Sequence, residues 1–314
     1  MSSGRRAGAW GPLGAHPLLL SCLGALVLGL HAAVFEQTGV SPVSASLYRA
    51  LYALPVLYAL CRYERSRQPA WRGPRWMAAL AGALLAADLV LWLRSVEEIG
   101  AGLATVLANV QLVFVVLASA LLFGERLSAR VAGAVGAMCL GVALIGGVGE
   151  AGAYGADPVA GAALATLAGV LYGAYILLIR RAGEGVATIE PLALATAAAA
   201  ATSILIGVLF GGLQVPAPRS AQPWLVLFSL TAAAGWMLLT VPAAKLSPSL
   251  TSLVLTLQPL CGLTVGVALL GEQPSPVQWL GALVLVAGFL AALRARSGPS
   301  RRPRGGLVRP RGAS

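Results

Sequence analysis

Ala120-Leu121-Leu122-Phe123-Gly124-Glu125-Arg126 closes one long apolar run and Val267-Ala268-Leu269-Leu270-Gly271-Glu272-Gln273 closes another, the two Gly-Glu pairs lying 147 residues apart. Laid over each other at that offset without a gap, residues 101–146 and 248–293 share Leu103 with Leu250, Gln111 with Gln258, Leu122 with Leu269, Ser128 with Ser275 and Gly141 with Gly288. All these identities fall in one register and mark equivalent points of the hydrophobic pattern. The chain therefore reads as one module written twice, and internal duplication in an apolar chain is a mark of transporters.

Composition names the solvent. Of 314 residues, 58% are hydrophobic and 11% charged, with a mean hydropathy of +0.82, against roughly 25% charged in a soluble domain. Lipid surrounds most of such a chain. The cysteines Cys22, Cys61, Cys139 and Cys261 stand singly in apolar surroundings without CxxC spacing, so they read as small buried apolar residues rather than metal ligands or disulfide partners.

A membrane span needs about 20 predominantly apolar residues. Ten segments meet that measure: 17–36, 43–62, 76–94, 101–123, 129–148, 158–180, 188–213, 222–242, 249–271 and 276–294. Short connections carrying Pro, Gly, Ser or charge separate them, and no stretch is long enough for a soluble domain. The first segment reaches spanning length and nine follow, so it reads as a span and not as a cleaved leader. The expected organisation is a cytoplasmic N-terminal segment (1–16), a first repeat (17–148), a second repeat (158–294) and a basic disordered tail (295–314).

Short cytoplasmic loops keep an excess of Lys and Arg. With the N-terminus inside, all but three of the 22 basic residues fall in inside segments; Arg94 and Arg219 lie outside and Arg49 within a span. Both termini are then cytoplasmic, in a cell (inner) membrane. Five spans per repeat is an odd number, so the second repeat enters the bilayer upside down relative to the first. The fold expected is thus all-α and integral to the membrane, ten helices in two inverted five-helix repeats. Most of the net +11 charge follows from this topology and from the tail, whose arginines suit the anionic inner leaflet. No interleaved aromatics or folded basic domain point to nucleic acid.

Close packing is written into the glycines, because helices in lipid associate through near backbone contact. Gly133, Ala137 and Gly141 form one small-residue stripe, answered by Gly281 and Gly288 in the tenth span.

Function is sought where polar side chains lie in hydrocarbon at a cost. His31, Arg49, Asp88 and Asn109 each fall five to eight residues from the outer end of their spans, within about 7–12 Å of that boundary at 1.5 Å rise per residue. They are expected to form one polar layer. Asp88 shares a helical face with Leu85 and Trp92, and Asn109 continues a stripe from Gly102 and Thr105. The second half offers uncharged groups to complete a cavity: Tyr172 and Tyr175, Trp236, Thr256, and Gln258 with its repeat partner Gln111. A lone charge at such depth costs roughly 2.5–3.5 kcal/mol or more, so Asp88 and Arg49 are each other's expected partner. Either the pair is static and fixes spans two and three, or it opens to admit a zwitterion or ion, or Asp88 carries a coupling proton. His31 titrates near neutrality or sits neutral and hydrogen-bonded in the bundle. Glu36, and Glu97 and Glu98 beside Arg94, read as solvated charges at the mouth.

These residues carry a family resemblance. The series Arg94-Ser95, Ala101-Gly102, Gln111, Leu122 to Arg126, Gly133 and Gly141 resembles the closing half of an EamA repeat, from the ten-helix branch of the drug/metabolite transporter superfamily. The second copy, with Leu257-Gln258-Pro259, Leu269 to Glu272, Gly281 and Gly288, resembles it more closely, and Ser41-Pro42 with Tyr48-Arg49 is similar to the opening of the family's second helix. The resemblance implies a secondary transporter, commonly an exporter of small metabolites, amino acids or drugs, with a cavity bounded by spans one to four and six to nine. It makes Gly124, Glu125, Gly271 and Glu272 structural helix-end residues. Two departures stand out: Leu112 replaces the proline present as Pro259, so a helix break is expected in the second copy and not the first, and Asp88 lies outside the family pattern.

The sequence reading is an alternating-access carrier, not an enzyme, exporting a small polar or amphipathic solute, with proton coupling as one option. It requires no metal or other cofactor, and no G-x-x-x-x-G-K-[ST] loop occurs. The partners expected are the solute, the bilayer and, in a homodimer, a second copy. The competing classes are a passive channel, a structural membrane subunit and an enzyme of lipid-linked substrates; the last would need a His/Asp/Glu cluster, and His16 and His31 stand apart.

Overall fold

The computed structural model describes residues 16–67, 70–111, 113–114, 128–148, 150–183, 189–243 and 246–296. Every regular element among them is helical: α1 Pro17–Gly29, α2 His31–Glu36, α3 Pro42–Arg65, α4 Arg75–Ile99, α5 Ala101–Leu107, α6 Ala129–Ile145, α7 Pro158–Ala182, α8 Ile189–Phe210, α9 Gln222–Ala243, α10 Pro248–Leu269 and α11 Pro276–Arg296, with short 3-10 turns at Ala108–Val110 and Arg219–Ala221. Seven of the helical stretches, counting α1 with α2, are long and apolar enough to cross a membrane, and three shorter apolar helices accompany them. The protein is a multi-pass membrane protein.

Helix starts are written locally. Ser41, Asp157 and Ser247 each precede a proline and accept the N–H three residues on, from Ser44 (3.2 Å), Ala160 (2.9 Å) and Leu250 (3.4 Å). Such side chains satisfy donors that the first turn leaves free, and proline lacks the donor altogether. Ser128 and Ser275, one of the repeat identities, do the same for α6 and α11, accepting from Val131 (3.3 Å) and Gln278 (3.1 Å).

The helices pair across the two repeats, and antiparallel. Along α3 and α8, Ser41 reaches the Gly212 carbonyl, the Ser46 and Ser203 hydroxyls bond at 2.9 Å, and Arg65 meets Glu190 at the far end. Along α4 and α7, the Trp71 indole donates to the Ala182 carbonyl (2.8 Å) at one end, and Gly161 lies against Ile99 at the other. These contacts define two ends of the bundle, a Ser41 end and an Arg65 end. The pairing has its own symmetry: α1 packs on α9 as α7 packs on α4, and α3 on α9 as α8 on α4.

α6 and α11 lie against each other. A Cβ at Gly281 would stand 2.8 Å from the Ile145 nitrogen, one at Gly288 2.9 Å from the Ala134 carbonyl oxygen, and one at Gly141 2.8 Å from that of Gly281. Gly141 and Gly288, another repeat identity, are thus both crossing points. The expected stripe is corrected at Gly133, which faces open space. Rotation of α6 about its axis puts only part of the small-residue row in the seam.

A further expectation is corrected. α10 runs unbroken through Pro259, whereas the first-copy helix α5 stops at Leu107 and tightens into the 3-10 turn. There the Asn109 amide donates to the carbonyls of Thr105 (3.3 Å) and Val106 (3.0 Å), drawing local backbone acceptors to a side chain. Leu112, Gly124 and Glu125 lie outside the described residues. The third span continues to Ile99, so Asp88 sits 11 residues from its end, about 16 Å at helical rise. It lies near the middle of the helix.

Candidate functional site

Between the repeats lies a cavity of about 110 Å³. Its lining includes His31, Arg49, Asp88, Gln111, Tyr172, Trp236 and Gln258 from the sequence-derived set, joined by Trp92 and the backbone of Gly169. α1, α2, α3, α4, α7, α9 and α10 contribute, as does the turn after α5 through Ala108 and Gln111, whereas α5, α6, α8 and α11 do not. The repeat partners Gln111 and Gln258 both reach it, so one identity of the internal alignment ends in a single wall.

Asp88 and Arg49 face the same space without touching. The ion pairs among the described residues are Arg65–Glu190, Arg94–Glu97 and Arg94–Glu98, so the expected direct contact, within 4.0 Å, is not formed. Each still feels the other's charge. The cause of the gap is geometric. α3 packs chiefly on α8 and α4 chiefly on α7, and the two side chains line the void from these separate helices.

His31 is held in the bundle. Its Nδ1 lies 3.1 Å from the Thr231 hydroxyl, and its ring stacks on Phe228 (centroids 4.0 Å apart) and more loosely on Trp92 (6.0 Å). The opposite wall is aromatic: Tyr172 stacks on Trp236 at 6.0 Å and tilts against Tyr175 at 5.5 Å. Trp92 also donates to the Ala104 carbonyl at 3.2 Å, tying α4 to α5.

Three members of the set are not in the lining. The Asn109 amide is spent on its own helix, the Thr256 hydroxyl donates to the Leu253 carbonyl (2.6 Å), and Tyr175 stands behind Tyr172. A threonine hydroxyl in a helix finds an acceptor one turn back, which removes it from a ligand's reach. Leu85 and Trp92, which the sequence places on the Asp88 face of its helix without counting them in the site, line the cavity beside it.

A larger cavity of about 1030 Å³ opens at the Ser41 end, lined by Glu36, Glu97, Glu98, Gly100 and Tyr154 among others. Phe35 and Val96 belong to it, one helical turn from His31 and Trp92 of the inner cavity. Phe228, fully buried and in contact with both Phe35 and His31, lies between the two spaces. Glu97 and Glu98 are not free: Arg94 holds them at 2.8 and 3.4 Å.

Glu272 is buried behind this mouth. Its carboxylate accepts the N–H of Ala101 (2.5 Å) and of Gly102 (3.1 Å), so the second repeat caps a helix of the first. Glycines make the seat: Gly100 has φ +89, and a Cβ at Gly102 would stand 2.7 Å from Oε2. Gly271, at φ +72, supplies the left-handed turn that ends α10. Burial pushes the Glu272 carboxyl up to about 7, against the two N–H donors and with help from the Glu36 charge. Gln278, another buried residue the sequence did not flag, bonds Tyr154 N (2.9 Å) and O (2.9 Å) and the Ile145 carbonyl (3.1 Å), fixing the connection after α6 to α11.

Two halves that share one cavity, the second with a Gly271-Glu272 turn after α10, are what the comparison with known families decides on. The EamA-like transporter family matches residues 16–147 and 159–294. The chain belongs to the EamA-like transporter family. Both matched stretches are copies of the same family unit, so this EamA protein is an internal duplication. No curated protein matches it. Among 22 matching chains of solved structures is a crystal structure 21% identical, with a TM-score of 0.55, covering 90% of this chain and 98% of that one. At that identity the likeness speaks for the fold alone.

Proposed function

We propose that this EamA protein is a secondary transporter that exports a small polar or amphipathic solute by alternating access. The observation that carries the reading is the inner cavity, where Asp88 and Arg49 lie in the membrane interior without an ion pair between them. Charges so placed are costly unless water or a solute completes their shell. A solute with an ammonium and a carboxylate matches the two, and the Tyr172–Trp236 wall accepts its apolar part. Asp88 is also the residue on which a coupling proton would ride.

Alternating access needs two halves that exchange shapes. Ten helices as two inverted repeats, with both termini cytoplasmic, supply them. The reading is supported by the antiparallel pairing of α3 with α8 and of α4 with α7, and by the crowding of Arg62, Arg65, Arg75, Arg180 and Arg181 toward one end. The cell membrane is the location this implies.

The test is reconstitution of the purified protein in vesicles loaded with candidate zwitterions. A carrier gives saturable uptake accelerated by solute on the opposite side. Flux that is linear in concentration and indifferent to the opposite side would sink the proposal in favour of a pore.

A further inference from the structure

At the Arg65 end a groove of about 420 Å³ runs between α3, the start of α8 and the approach to α4. Its mouth carries Arg62, Arg65 and Arg75, and its floor Leu54, Tyr58 and Leu194. Arg65 is already neutralised by Glu190 at 2.6 Å, and the other Glu190 oxygen accepts the Trp71 N–H at 3.2 Å. Arg62 and Arg75 make no side-chain hydrogen bond or ion pair with any described residue. Two exposed guanidinium groups therefore overhang an apolar slot.

The slot leads into lipid. Leu54 lies eight residues before Arg62 on α3, about 12 Å deeper at helical rise. Tyr58 is 64% exposed, and Val56 and Leu60 on other faces of α3 and Trp76 at the start of α4 are exposed as well, apolar surface that only hydrocarbon covers comfortably. Arginines at the end of a span and aromatics beside them are the residues that meet phospholipid headgroups. A guanidinium pair matches a phosphate by charge and by its forked donors. A free anion would satisfy the mouth and leave the floor unused.

We propose that this groove binds one anionic phospholipid, its phosphate between Arg62 and Arg75 and an acyl chain along Leu54 and Tyr58. The lipid then bridges α3 of the first repeat and α8 of the second, at the end opposite the acidic mouth. The proposal rests on insertion in a bilayer and not on solute transport, so the two stand or fall separately.

The test is thermal unfolding of the full-length protein in detergent supplemented with phosphatidylglycerol, phosphatidylcholine or inorganic phosphate. Ligand binding to the folded state raises its apparent stability by mass action. Phosphatidylglycerol is expected to raise Tm by several degrees in a saturable manner, and the other two are not. Arg62→Gln with Arg75→Gln is expected to remove most of that shift while leaving the lipid-free Tm in place. The charge-matched tail variant Arg309→Gln with Arg311→Gln retains it. Equal shifts with phosphatidylcholine, an equal shift with phosphate alone, or equal losses in the two variants would overturn the assignment. Native mass spectrometry gives a second reading: a phosphatidylglycerol retained by the parent protein and the tail variant, and lost from the groove variant.

Discussion

Glu272 caps Ala101 across the boundary between repeats: the carboxylate of the second Gly-Glu turn accepts, at 2.5 Å, the first N–H of the helix that leads to Gln111 and the cavity. A motif that looks like a simple helix end is thus a tie between halves. It is also a buried acid whose ionisation is opposed by burial.

Glu272 predicts a pH dependence. Its folded value of about 7 stands above the ordinary 4.5, so the folded protein binds this proton more tightly than the unfolded chain does. Its contribution to stability is full below about 4.5 and is lost as pH rises through about 7. The parent protein should lose several degrees of Tm between pH 5 and pH 8 relative to Glu272→Gln, which carries no proton to lose. Parallel Tm curves for the two would refute the assignment.

The α6–α11 seam predicts a contrast between glycines. Gly281→Ala drives a methyl group to 2.8 Å from the Ile145 nitrogen and the Leu144 Cβ, and should cost about 1–3 kcal/mol. Gly133→Ala meets nothing within 4 Å and should be neutral or gain up to about 1 kcal/mol from helix propensity. Unfolding of the two variants in the same detergent decides; equal effects would mean the seam is elsewhere.

Asp88 predicts a loss of transport. Asp88→Asn keeps the shape of the side chain and removes its charge, so saturable flux should fall on the order of tenfold or more, equivalent to about 1.4 kcal/mol. If a proton rides on Asp88, what flux remains should no longer respond to pH. Full and still pH-dependent transport in this variant would take Asp88 out of the mechanism.

His31 is predicted to be structural. Thr231→Val removes its 3.1 Å partner and should cost about 1 kcal/mol. His31→Phe keeps the stack on Phe228 and should transport near the parent rate. A His31→Phe protein that folds and is inactive would make the imidazole part of the pathway.

Most of the spans and the duplication were legible because hydropathy and internal identity are carried by the chain itself. Hydropathy marks a span wherever it lies, and Ser or Asp before proline starts a helix whatever it later touches. The cavity was legible in part. Depth and residue type brought His31, Arg49, Asp88, Gln111, Tyr172, Trp236 and Gln258 to one place on paper, and all seven line it. Asn109 and Thr256 failed because a backbone carbonyl one turn away competes with any ligand, and periodicity does not reveal which the side chain chooses.

By itself the sequence determined that this chain is helical, lives in lipid and repeats one family unit, since hydrophobic length and internal identity are properties of the chain alone. Only the tertiary structure decided that Asp88 and Arg49 look at each other across a space, that Glu272 reaches into the other repeat, and that the helix tightens into a 3-10 turn in the first copy while it runs through Pro259 in the second. Those facts depend on how each helix is rotated and how closely its neighbours approach. In lipid that is set by small residues packing across the bundle, and no run of neighbouring residues records it.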